Sequence, residues 1–144
     1  MIAGLMAACG LQQVDGPLAE GVTLRVAGGV VAVAAVEREG ATWHLSAVEG
    51  GHDGLGLRLT AGPSTVTSAD ANLRGIVADW GTVHLTASSL TGIDGRVSMT
   101  DVTWTDDANT GQAALAQQEG ETLLLSDRDG ALLGRLSRSG FRPL

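Results

Sequence analysis

The chain has 144 residues, of which 44% are hydrophobic and 17% charged, so it is neither a disordered tail nor two separately cored domains. Its net charge is −7 and all nine cations are arginine, which argues against a nucleic-acid binder, because that needs a basic surface to displace counterions from phosphate. Aromatic residues amount to 3% (Trp43, Trp80, Trp104 and Phe141), too few for base-stacking platforms or sugar-binding shelves, whereas 21 glycines imply many turns and short strands.

The N-terminus reads Met1-Ile2-Ala3-Gly4-Leu5-Met6-Ala7-Ala8-Cys9-Gly10, an apolar run with small residues just before the only cysteine. One cysteine excludes an intrachain disulfide and a cysteine-based zinc cluster. The Leu5-Met6-Ala7-Ala8-Cys9 segment resembles the end of a bacterial lipoprotein signal peptide, which is cleaved before a cysteine that is then lipidated. That resemblance implies a truncated leader and linker over residues 1–20, acylation at Cys9, and a single β domain over 21–144. An apolar first strand with a buried free cysteine is the other reading of the same residues. No apolar stretch reaches the ~18–20 residues of a transmembrane helix.

From there on, apolar and polar residues alternate. Val22-Thr23-Leu24-Arg25-Val26 sets Val22, Leu24 and Val26 on one face, as expected of a half-buried strand. The same pattern runs through Trp43–Ala47, Leu57–Thr60, Val83–Ala87 and Val97–Thr100. Turn signals separate the runs, among them Gly28-Gly29, Glu39-Gly40, Gly62-Pro63, Asp79-Trp80-Gly81, Asp94-Gly95, Glu119-Gly120 and Asp129-Gly130. About ten or eleven strands of the usual ~5–6 residues fit this spacing. The segment Gly111–Gln118 has some helical capacity but reads as a strand.

A repeat of about forty residues underlies the alternation. Thr42-Trp43-His44-Leu45-Ser46 aligns with Thr82-Val83-His84-Leu85-Thr86 and with Thr122-Leu123-Leu124-Leu125-Ser126. Three such units are too few to close a propeller, which takes ~4–8 blades. The expected fold is therefore all-β, an elongated β-jelly roll or a two-sheet stack of antiparallel hairpins.

No catalytic constellation emerges. His44 and His84 hold equivalent repeat positions on the polar strand face and read as solvated residues; His52, beside Asp53, reads as a loop residue. A nucleophile elbow, a His-Glu-x-x-His helix and a phosphate-binding loop are all missing from the sequence. The acidic turns at Asp106–Gly111 and Asp127–Gly130 lack the closing glutamate and flanking helices of a calcium hand, and Asp, Asn and Gly are ordinary turn residues. The expectation is a protein that is not an enzyme and has no cofactor or metal. What remains is the apolar strand face: Leu24, Val26, Val33, Trp43, Leu45, Leu57, Leu59, Val83, Leu85, Val97, Met99, Leu123 and Leu125. Those residue types suit a dry core and a groove for acyl chains alike.

The phrases Gly40-Ala41-Thr42-Trp43-His44-Leu45-Ser46-Ala47 and Gly81-Thr82-Val83-His84-Leu85-Thr86-Ala87 carry a resemblance to a family. With Gly120–Ser126 and Gly130–Leu136 they resemble the lipopolysaccharide-export bridge proteins (the LptC/LptA or OstA-like group) over roughly residues 21–138. The resemblance implies a passive periplasmic bridge in a Gram-negative bacterium, anchored to a membrane through lipidated Cys9. Acyl chains of lipopolysaccharide would lie in the groove, and edge strands would pair with other bridge proteins. The alternative is a secreted or periplasmic β-repeat interaction scaffold with a dry core.

Overall fold

The computed structural model describes residues 16–26, 30–52, 54–67, 70–93, 96–107 and 109–144. Twelve strands follow one another: β1 (Gly16–Val26), β2 (Val30–Glu39), β3 (Thr42–His52), β4 (Leu57–Ala61), β5 (Ser64–Val66), β6 (Ala71–Trp80), β7 (Val83–Ile93), β8 (Arg96–Thr105), β9 (Thr110–Glu119), β10 (Thr122–Ser126), β11 (Leu132–Ser137) and β12 (Gly140–Pro143). All belong to one antiparallel sheet in which almost every strand pairs with its neighbours in sequence. β4 and β5 act as one strand interrupted at Gly62-Pro63, since both pair with β3 on one side and β6 on the other. The all-β, jelly-roll-like architecture expected from the alternation is what the chain adopts. The strand reading needs one correction: seven of the strands are 10 or 11 residues long, about twice the expected length.

The forty-residue period is a period of hairpins. β2–β3, β6–β7 and β9–β10 are each joined by two residues, with the flanking pairs Glu39↔Thr42, Trp80↔Val83 and Glu119↔Thr122. Gly40, Gly81 and Gly120 open these turns, all at φ +62, and the residue after each keeps a negative φ. A glycine at the first central position is the signature of the type II′ turn, whose twist matches that of the strands it joins. Beyond each turn the repeat positions face inward together: Trp43, Val83 and Leu123, then Leu45, Leu85 and Leu125, all buried.

Strands run longer than the alternation because its phase slips in mid-strand. In β3 the inward residues are Trp43 and Leu45, then two exposed residues intervene and Val48 points in; β6 does the same at Arg74 and Gly75. The slips line up across the sheet. Gly75 lies beside Ser88, Ser88 beside Asp101, and Asp101 beside Ala114, as the flanking pairs Arg74↔Ser89, Thr86↔Thr103 and Val102↔Ala113 require. Gly62 extends the row, its N–H donating to the Arg74 carbonyl at 2.8 Å. Left-handed backbone marks it as well, with Gly75 at φ +65 and Asp101 at φ +52. Asp101, the one non-glycine residue there with positive φ, receives a hydrogen bond from Ser88 Oγ at 3.2 Å. An irregularity of this kind bends and twists a strand. Because β6 to β9 change phase in one row, the ladder stays in register and the sheet creases as a unit.

The crease lets the sheet fold over its apolar face. In a meander the β6–β7 and β11–β12 turns lie at opposite ends, yet the Thr82 N–H donates to the Arg138 carbonyl at 3.0 Å. Likewise the β3–β4 turn reaches β9: a methyl group on Gly54 would sit 3.6 Å from the Gln118 side-chain nitrogen. No flat sheet makes these contacts. The two layers are halves of one coiled sheet, and a single hydrophobic cluster running from Leu24 to Leu136 fills the space between them. At about 1.5–3 kcal/mol for each fully buried large apolar side chain, this cluster is the dominant stabilising feature.

Candidate functional site: the apolar interior

Eleven of the twelve expected groove residues come together in the interior. Leu24, Trp43, Leu45, Leu57, Leu59, Val83, Leu85, Val97, Met99, Leu123 and Leu125 are all buried in the one cluster, at 0–4% exposure. Val26 and Val33 sit in the backbone ladders of β1 and β2, and their side chains lie outside the described residues, as do Cys9 and the leader expectation attached to it. β1 starts at Gly16.

Half of the interior was not legible from alternation. Val48, Leu73, Ile76, Ala78, Leu90, Val102 and Leu136 point inward as well. Most of them follow the phase slip on their strands, where a period of two counted from the strand start assigns the wrong face. Trp80, read as part of a turn, is buried and donates its indole N–H to the Leu55 carbonyl at 2.9 Å. Its inward neighbour on β4 is Leu59, through the Leu59↔Ala78 pair. Trp104 is also inward and buried. Thus all three tryptophans belong to the interior, Trp43 additionally carrying the Arg38 guanidinium 6.0 Å from its ring centre.

The histidines separate. His44 and His84 stand exposed on the outer face, as expected from their strand positions; His44 Nε2 lies 3.1 Å from Glu39, and His84 contacts Asp79. These acid–histidine contacts sit beside equivalent hairpin turns, and the third copy has Glu119 against Arg135 instead. His52 is a correction. It is the last residue of β3 and buried, with Nδ1 accepting the Leu55 N–H at 2.9 Å. A local backbone donor three residues on draws the ring inward, where it shapes the β3–β4 turn. Among the described residues no three His, Cys, Asp or Glu side chains converge on a possible metal position.

The outer face is polar and grooved. One groove crosses β3, β4 and β6 and is lined by Glu49, Arg58, Thr60, Val77 and Asp79; another lies over β8, β9 and β10. The inner face has one built edge. Phe141 of β12 stacks on Trp104 of β8, ring centres 4.8 Å apart and planes 22° apart. Three glycines clear room for this pair. A methyl group on Gly111 would lie 2.4 Å from the Trp104 ring, one on Gly134 would lie 2.8 Å from Phe141, and one on Gly140 would lie 2.9 Å from Asp106. The Phe141 N–H donates to Asp106 Oδ2 at 3.3 Å.

Chemically, this interior can exclude water and hold apolar chains or its own side chains; its buried polar side chains are few, Ser64 and Ser126 besides His52. No helix among the described residues is long and apolar enough to cross a membrane. No protein-family model, curated protein or solved structure matches the chain.

Proposed function

We propose that this protein is a non-enzymatic periplasmic carrier that holds acyl chains, in the manner of a lipopolysaccharide transport bridge, against the inner face of its folded sheet. The observation that carries the reading is an apolar face continuous from Leu24 to Leu136, wrapped by one sheet whose first and last described strands each have a single partner. Such a roll has a seam. A closed barrel would have to break its ladder to pass a chain sideways, whereas an unclosed roll opens by moving layers apart. In this reading the anionic head groups stay in solvent, away from a surface that is itself acidic, and only the chains contact Leu45, Leu85 and Leu125. Anchoring runs through acylated Cys9, and the eleven-residue edge of β1 is the docking side for another bridge protein. β12 is poorly suited to that role, being four residues long and ending in Pro143.

A second reading is a dry-cored interaction scaffold in the cell envelope. The filled state of the interior favours it: Val83, Leu90, Met99 and Leu123 have no exposed surface, and three tryptophans occupy the space between layers.

Displacement of a fluorescent fatty acid separates the two. The carrier reading expects saturable uptake by the wild type and its loss in Leu85→Trp, with the β-sheet circular dichroism retained. No uptake by folded wild-type protein leaves the scaffold. Mass spectrometry of the protein expressed in a Gram-negative host tests the anchor, and residues 1–8 found intact on an unmodified Cys9 would exclude it.

A further inference from the structure

We infer that the segment Arg138–Pro143, comprising β12 and its turn, is a flap that gates the interior, with Phe141 as its latch. This inference rests on the carrier reading for its cargo, and on the geometry of the closing contacts for its mechanics.

The flap is held differently from every long strand. β12 pairs with β11 alone, over four residues, and forms the outer edge of the described sheet. Across the interior it is fixed at three points. The Arg138 carbonyl accepts from the Thr82 N–H and, at 3.2 Å, from the Thr82 hydroxyl; the Phe141 N–H reaches Asp106; and the Phe141 ring lies on Trp104. Each of those partners belongs to a turn or a strand end of the opposite layer. Phe141 is only half-buried, whereas Trp104 and Leu136 beneath it are buried. Swinging the flap away therefore uncovers two large apolar side chains at the cost of a few bonds, all remade on closing.

The local geometry favours a flap that returns to one position. Gly140 at φ +124 lets the chain turn directly under Asp106, and Gly134 leaves a recess against which the Phe141 ring seats. Asp106 is itself anchored, since its Oδ1 accepts the Asn109 N–H at 2.8 Å and its own N–H donates to the Asn109 carbonyl. A fixed carboxylate facing a mobile N–H forms a defined stop. Segments that open below the global free energy are those with few apolar contacts and a one-sided ladder, and this one satisfies both.

Native-state hydrogen exchange on the full chain tests the gate. The amide of a second central residue in a two-residue turn has no partner within its own hairpin, so protection at Thr82 reports the bond to Arg138 directly. Thr82 and Phe141 amides are expected to exchange together, at least a hundredfold faster than Leu85 and Met99. Phe141→Leu should speed both by about tenfold and leave Leu85 and Met99 unchanged. Exchange of Thr82 and Phe141 at the rate of Leu85, or no acceleration in a folded Phe141→Leu variant, overturns the gate. The cargo is tested separately with a bromine-labelled C16 fatty acid, which quenches tryptophan on contact. Quenching in the wild type that develops about tenfold faster in Phe141→Leu supports an acyl gate. Unquenched emission from a protein whose flap opens normally overturns the carrier reading and the acyl role of the flap, while the exchange result stands.

Discussion

The body formed by β6 to β9 and the closing hairpin of β11 and β12 are made from the same kind of sequence but held by different means. In the body, ten- and eleven-residue strands have ladders on both sides, and their inward side chains, such as Leu73, Val83 and Met99, are fully buried. The closing hairpin has a four-pair ladder, an edge, one aromatic stack and a few bonds to distant turns. Large apolar burial makes the body's stability collective, so no single hydrogen bond decides it. Closure instead depends on a handful of named contacts, and each of them is accessible to substitution.

Truncation in the body should have the largest effect. Trp80→Ala removes a fully buried indole and leaves the Leu55 carbonyl without its donor. The expected loss is about 3–5 kcal/mol, read as a fall in the midpoint of denaturant unfolding with the slope unchanged. A loss below about 1 kcal/mol would mean that the body is loosely packed and that its contrast with the hairpin is false.

Gly81 is where the two regions meet, and its substitution should be next in size. A methyl group there would stand 2.3 Å from the Arg138 carbonyl, and φ +62 disfavours any L side chain. Gly81→Ala is expected to cost about 1–3 kcal/mol, from the αL strain of a non-glycine residue together with displacement of the Arg138 turn. Increased exposure of Trp104 to acrylamide, with unchanged far-ultraviolet circular dichroism, would locate the damage at the closure.

Phe141→Ala isolates the latch. Aromatic stacking contributes about 0.5–1.5 kcal/mol beyond area burial, and the ring is only partly buried, so the expected cost is about 1–2 kcal/mol. Proteolysis should then begin in residues 138–144 while the body stays resistant. Cleavage appearing first within β7 or β8 would show that the hairpin and body open as one unit. The smallest effect belongs to the outer face: His84→Ala removes an exposed contact with Asp79 and should change stability by less than about 0.5 kcal/mol.

Legibility stopped at a physical boundary. The runs Trp43–Ala47, Leu57–Thr60, Val83–Ala87 and Val97–Thr100 end within a residue or two of the crease, because alternation is a signal only while the phase is constant. Where Gly75, Ser88, Asp101 and Ala114 each insert a step, a reader of one strand sees its pattern end and infers a turn. The slip makes sense only across four strands at once, when all take it in one row and the ladder survives. Trp80 was hidden for a related reason, because Asp79 and Gly81 on either side of it are turn residues and the turn occupies only Gly81 and Thr82. His52 shows the converse, a polar residue among glycines drawn inward by one backbone N–H.

The amino-acid sequence alone determined the class of fold, the forty-residue hairpin period and the inward face of the first half of most strands. Each of these follows from interactions between near neighbours: period-two alternation, glycine at the first position of a two-residue turn, and apolar area seeking burial. Tertiary structure decided the phase of the second half-strands, the coiling that brings opposite ends of the sheet together, and the pairing of Trp104 with Phe141. Those depend on contacts between residues dozens of positions apart, such as Thr82 with Arg138 and Asp106 with Phe141. Neither partner's local sequence carries any trace of the other, because the distance between them is set only once the sheet has folded over its own apolar face.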